Sequence, residues 1–146
     1  MNYFKAAEEL LSSIPQLKSA KANLEKREKR LQNSGAPQLP AAISYDKPFT
    51  DSHFVSDTLN DLLELAECSR NLAETKQKLE EMENIIDQLK DEHKQLVNLW
   101  YVKSYSKESI MEAMNISSPT TIYNLRNKAV AEFALLYYGA SALSSI

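Results

Sequence analysis

The stretch Leu65–Trp100, LAECSRNLAETKQKLEEMENIIDQLKDEHKQLVNLW, decides the fold. Leu65, Leu72, Leu79, Ile86, His93 and Trp100 recur every seven residues, and Cys68, Thr75, Met82, Leu89 and Leu96 follow each at plus three. Two apolar positions in a seven-residue repeat draw one stripe along an α-helix, while the Glu, Lys, Asp and Gln between them keep the other faces in water. No proline or glycine interrupts the run, so the spacing predicts a coiled-coil stalk over residues 53–102. A stripe this long must be covered by another helix. The candidates are the first segment folded back antiparallel, the same helix of a second chain, or both. Leu65, Leu72, Leu79, Met82, Ile86, Leu89, Leu96 and Trp100 are therefore the expected stalk or oligomer seam. Thr75 and His93 read as tolerated polar residues at the seam edge rather than as register or pH devices.

Toward the amino terminus, residues 1–33 carry a second amphipathic stripe, with Leu10, Leu17, Leu24 and Leu31 seven apart and Ile14 and Ala20 near the same face. Pro15, after Ser12 and Ser13, either starts a second helix after a short first one or kinks a continuous helix, and the break is the preferred reading. Residues 34–52 hold three of the five prolines and one of the two glycines, which reads as a linker. A helix stop is signalled at Asn33-Ser34-Gly35, and Asp51 or Ser52 is placed to cap the helix that follows.

Toward the carboxy terminus the period changes. In residues 103–139, Ser106 precedes a short helical stretch, Lys107–Met114, in which Ile110, Met111 and Met114 lie at helical spacing. The turn Asn115-Ile116-Ser117 ends it, asparagine being the non-glycine residue that best tolerates a left-handed backbone. Ser118 then caps, and Pro119 opens, a second helix whose apolar positions Ile122, Leu125, Ala129, Phe133 and Leu136 recur at threes and fours. Two helices joined by a tight turn, the second opening with small polar residues, form the arrangement that lets a helix enter the DNA major groove. On such a helix Thr120, Thr121, Asn124 and Asn127 suit base edges, Asn124 by pairing bidentately with adenine. Ser106, Lys107, Ser118, Tyr123, Arg126 and Lys128 suit phosphates. Residues 140–146 read as a flexible tail.

Composition bounds the rest. Two glycines in 146 residues and a quarter charged side chains describe an all-α chain. The formal charge of -3 is unevenly spread. Residues 1–33 carry seven basic and four acidic side chains, residues 34–100 six and thirteen, and residues 101–146 four and three. The acidic middle repels phosphate, so a nucleic acid is expected at an end of the chain. There is no membrane-spanning run and no secretory pattern in MNYFKAAEELL, which implies a cytoplasmic protein. Cys68 stands alone and reads as packing. His53 and His93 lie forty residues apart without cysteine partners, and the chain has no glycine-rich phosphate loop. Adjacent carboxylates such as Glu80-Glu81 and Asp91-Glu92 belong to solvated helix faces. No enzymatic activity, cofactor or metal is expected.

The segment LVNLWYVKSYSKESIMEAMNISSPTTIYNLRNKAVAEFALL, about forty residues, resembles the carboxy-terminal region of the ArpU/RinA-type phage late-gene transcription regulators, itself similar to the helix-turn-helix of sigma factor region four. Trp100-Tyr101, Asn115-Ile116-Ser117, Thr121-Ile122-Tyr123 and Lys128-Ala129 carry the likeness. The resemblance implies a sequence-specific regulator of a phage or prophage operon in a bacterial cytoplasm. The helical seam adds the expectation of a homodimer or higher oligomer that places its heads on double-stranded DNA, and RNA polymerase is a candidate further partner. The competing expectation is a coiled-coil adaptor or inhibitor that docks another protein through the apolar Val130–Tyr138 segment and leaves DNA alone.

Overall fold

The computed structural model describes residues 1–33 and 52–146, with side chains from 57 onward in the second part. The linker expectation for 34–51, the Asp51 cap and the side chain of His53 lie outside these residues. Every regular element among the described residues is a helix.

Helix α1, Tyr3–Ser12, begins where the Asn2 side chain accepts the Lys5 N–H at 3.1 Å. Ser13 interrupts it, and α2 runs Ile14–Asn33 with Pro15 at its second position. Proline has no N–H to give the Leu11 carbonyl, and at the break Ser13 N–H is shared between the Glu9 and Leu10 carbonyls while Leu17 N–H returns to Ser13 O at 2.9 Å. The break falls where Pro15 placed it.

The long third helix, α3, spans Ser52–Asp87. By its contacts the chain divides into two compact units, Ser19–Gln77 and Met1–Lys18 with Lys78–Ile146. In the first, α2 runs antiparallel to α3: Cys68 donates to the Leu24 carbonyl at 3.5 Å, Ser69 donates to Glu28 at 2.7 Å, and Lys76 pairs with Glu25 at 3.8 Å. Cys68, Leu72 and Leu31 are buried there, while Leu65 and Thr75 are half-buried. Thr75 turns its hydroxyl to the Asn71 carbonyl of its own helix. In this unit the seam is covered by the first segment of the same chain.

The second unit holds the larger core. Leu79, Met82, Ile86, Leu89 and Leu96 of the seam join Ala7, Leu11 and Ile14 from the amino-terminal segment and Ile110, Ile122, Ala129, Val130 and Phe133 from the carboxy-terminal one. The expected continuous helix through residue 102 is corrected here: α3 stops at Asp87 and α4 begins at Asp91, running to Val97. A residue far away in sequence holds the break. The Glu132 carboxylate accepts the Lys90 backbone N–H at 2.9 Å and pairs through its other oxygen with Nδ1 of buried His93. Asp91 and Glu92 in the first turn of α4 suit the positive end of its dipole. The break preserves the burial of Leu89, His93 and Leu96 on the core side.

After α4 one wide turn, Asn98–Val102, is a π-helix, closed by Lys103 N–H on the Asn98 carbonyl at 2.8 Å. Ser104, at φ 55, ends it in the left-handed region. Helices α5, Lys107–Ala113, and α6, Pro119–Tyr138, follow. The last segment is not a flexible tail. Gly139–Ser145 forms a 3-10 helix with Ala142 fully buried, and Ser145 Oγ accepts the Tyr3 N–H at 3.1 Å. The Tyr3 and Tyr138 rings meet at a tilt with centroids 5.0 Å apart, so α1 closes over the end of α6.

Candidate nucleic-acid interface

Local chemistry builds the α5–turn–α6 segment as the residues require. Ser106 Oγ accepts the Ser109 N–H at 3.2 Å, and Ser118 Oγ accepts the Thr121 N–H at 3.4 Å with Pro119 next to it at the helix start. Each hydroxyl satisfies one of the backbone donors that a helix leaves free at its first turn. Between the helices Asn115 stands at φ 55, the left-handed conformation its side chain tolerates. Ile116 packs half-buried against the core, its N–H on the Met111 carbonyl at 2.9 Å. Ile110 and Ile122 are fully buried between the two helices and the rest of the unit.

The outer face of α6 is polar. Thr120, Thr121, Asn124, Asn127 and Lys128 are all exposed. Thr120, Asn124, Asn127 and Lys128 fall at three- and four-residue spacings, one row along one side of the helix. Ser106 is exposed at the start of α5, while Ser118 and Lys107 are half-buried. On the inner face Leu125, Ala129 and Phe133 are buried as expected. Leu136 is not: it is 39% exposed, and Val130 and Ala134, both fully buried, take the inward positions instead. The reason is α1 and the 3-10 helix, which meet the far end of α6 from a side that periodicity alone does not reveal.

Beside the polar row lies a cluster of rings and cations that spacing did not assemble. Trp100, expected in the seam, sits edge-on to Tyr123 at 5.8 Å. The Arg126 guanidinium lies 5.4 Å from the Trp100 ring and 5.5 Å from that of Tyr123, and it donates to Asn127 Oδ1 at 3.1 Å. Lys107 Nζ lies over the Tyr123 ring as well, at 5.2 Å. Of the residues assigned to phosphate, Arg126, Tyr123 and Lys107 are thus engaged with one another, Ser106 and Ser118 hold their helix caps, and Lys128 is exposed at the end of the polar row. The π turn helps by presenting Trp100 to α6 while its neighbour Tyr101 is buried. The Tyr101 hydroxyl has no hydrogen-bond partner among the described residues. Burial pushes it up to about 12; Glu8 pushes the same way and Arg126 opposes.

Chemically, the row offers neutral donors and acceptors on a helix whose first turn is exposed, bordered by lysines and backed by a rigid aromatic wall. Among the described residues no group of three His, Cys, Asp or Glu side chains is placed to hold a metal ion, and no helix is long and apolar enough to cross a membrane. No curated protein and no solved structure matches the chain. A family model does match, over residues 54–134, from α3 through most of α6, and its description reads as a protein of unknown function. That match takes in the greater part of the chain, including the polar row and its aromatic wall, and the chain belongs to the DUF1492 family.

Proposed function

We propose that α5 and α6 act as a DNA-reading helix-turn-helix and that the protein is a sequence-specific regulator of a phage or prophage operon. One observation carries the reading: the exposed row Thr120, Asn124, Asn127 and Lys128 on the amino-terminal half of a capped helix, with nothing packed over it. Thr120, Thr121, Asn124 and Asn127 are assigned to base edges in the major groove. Lys128, Lys107 and the two capping serines are assigned to the phosphates on either side. Arg126 and Tyr123, held like Lys107 by their contacts with one another and with Trp100, are assigned to the same phosphates from a fixed position. The similarity to the ArpU/RinA-type regulators points the same way. A pair of copies would bind paired half-sites, in a bacterial cytoplasm, with RNA polymerase as a further partner.

The far end of α6 supports a second reading. Leu135, Leu143 and Ile146 are exposed beside Lys90 and Lys128 around a cleft of about 360 Å³. An adaptor would use this apolar end to dock another protein. Selection from randomised duplex DNA at two salt concentrations separates the readings. An enriched motif supports the regulator, uniform salt-sensitive recovery reduces it to nonspecific binding, and no recovery at either salt sinks it in favour of the adaptor.

A further inference from the structure

The exposed row on α6 is set apart by the residue types it does not offer to a base. In the major groove guanine is read most often by an arginine, which donates to O6 and N7, and cytosine by a carboxylate, which accepts from its N4 amino group. Between Pro119 and Lys128 the one arginine is Arg126, and no acidic residue precedes Glu132. Arg126 is not free to turn into a groove. Its guanidinium lies against two rings, 5.4 Å from Trp100 and 5.5 Å from Tyr123, and donates to Asn127 Oδ1 at 3.1 Å. Its Nε is buried and has no hydrogen-bond partner among the described residues. Meeting a guanine would forfeit both ring contacts and the bond to Asn127. Lys107 is likewise occupied, over the Tyr123 ring at 5.2 Å. Lys128 is exposed, but at about 1.5 Å per residue it lies about 12 Å along the axis from Thr120. Base edges are met by the first turns of such a helix, so Lys128 falls at the lip of the groove, beside the phosphates.

The side chains that remain suit A·T pairs. Asn124 is exposed, and its carboxamide can accept from N6 and donate to N7 of one adenine, a pairing that no other base completes. Thr120 and Thr121, exposed in the first turn, carry methyl groups that can meet the thymine methyl. Asn127 is more constrained. A guanidinium only donates, so Asn127 Oδ1 is the atom that faces Arg126 and the amide N–H groups are left to be given outward. Thymine O4 and adenine N7 accept them. From Thr120 to Asn127 the row is about 10 Å long, close to three base-pair steps.

We infer that the half-site beneath α6 is a run of about four A·T pairs, with adenine opposite Asn124, and that G·C pairs are selected against there because the side chains that would read them are absent or held elsewhere. The inference rests on the assignment of α6 to the major groove made above, and adds to it which bases that helix takes.

Selection from randomised duplex DNA by the full chain, repeated with Asn124→Arg, tests it. The parent is expected to enrich a core of A·T pairs. Position 124 is exposed, so the variant keeps the fold, and it should replace adenine by guanine at one position of each half-site, which marks the bases under α6. A fixed G·C pair in the parent motif at or beside that position overturns the inference and leaves α6 a DNA-reading helix. A motif that Asn124→Arg does not move, or no enrichment at all, overturns the inference together with the reading it rests on. A·T runs also have a narrow minor groove that proteins recognise by shape. Replacing the marked adenine by 7-deazaadenine removes only the N7 acceptor of the major groove, and the parent chain should then bind about tenfold more weakly. Unchanged affinity would mean that the run is chosen for its shape, and the assignment of adenine to Asn124 falls.

Discussion

The Arg126 guanidinium stands over the Trp100 ring at 5.4 Å, joining the helix that bears the polar row to the π turn that precedes α5. The stack depends on a flat cation, which lysine does not supply. Arg126→Ala is expected to cost about 1–2 kcal/mol, and Arg126→Lys to recover little of it. Trp100 is the chain's single tryptophan, so its emission in a urea titration reports both stability and the loss of the stack. A lysine variant as stable as the parent, with unshifted emission, would contradict this role.

Asn115 and Ser104 both hold φ 55. For an ordinary side chain the left-handed conformation costs about 1–2 kcal/mol. Asn115→Val should therefore destabilise by that amount, or somewhat more because the branched side chain crowds its own backbone, while Asn115→Gly stays within about 0.5 kcal/mol of the parent. Ser104→Gly should be neutral or slightly stabilising. Midpoints of chemical denaturation rank the three.

Glu132 holds two elements at once, through the Lys90 N–H and through His93. Removing its carboxylate leaves a helix-end donor and a buried imidazole nitrogen without their partner, which costs about 1–3 kcal/mol. Glu132→Ala should lower the unfolding midpoint accordingly. Amide exchange should speed up first around residues 88–94, the segment Glu132 holds. Equal exchange there in both proteins would show that the break in the helix has another cause.

The buried phenol of Tyr101 gives an alkaline signature. Its folded value, pushed up to about 12 by burial, lies above the ordinary 10.0, so the fold favours the neutral form. That contribution is complete below pH 10 and is lost as pH climbs from 10 towards 12. Tyr101→Phe should unfold less readily across this window. Near neutral pH it should match the parent or exceed it slightly, because the hydroxyl it deletes has no partner among the described residues. Thermal melts between pH 7 and 11.5 in both proteins, with ultraviolet titration of the parent, make the comparison.

If α6 reads bases, its residues divide by the kind of loss they cause. Asn124→Ala should cost about 1–3 kcal/mol of discrimination at one base pair of a selected site. Lys128→Ala should weaken all sequences alike and reduce the salt dependence by about one phosphate contact. Binding unchanged by both substitutions would remove α6 from the interface.

The segment from Ser106 to Ser118 was legible because short-range chemistry decides it. A hydroxyl before each helix, an asparagine where the backbone must turn left-handed and a proline at a helix start each act within four residues. Burial along the seam was legible for a similar reason, since a seven-residue period fixes which side of a helix is apolar. The stop at Asp87 was not, because the carboxylate that holds Lys90 at the break, Glu132, comes from forty-two residues further along the chain. Nor was the wall behind the polar row: Trp100 and Arg126 meet only once the π turn has rotated the one and α6 has delivered the other. Leu136 misled for the opposite reason, a regular spacing extended past the point where α1 and the 3-10 helix replace it in the core.

The bond from Tyr3 to Ser145 spans 142 residues of chain, and it sets an order of events on the ribosome. At about 5–20 residues per second, α1 leaves the exit tunnel on the order of ten seconds before the residues that cover it are made. Through that interval Ala7, Leu11 and Ile14 have no completed core to enter, so this unit matures after translation has passed residue 145 and depends on contacts of high order. The contacts of the unit Ser19–Gln77, by contrast, all lie within residues made before residue 78. Until residue 145 has been made, α1 presents an apolar stripe with no core to receive it, the kind of surface that a holding chaperone or a protease meets first.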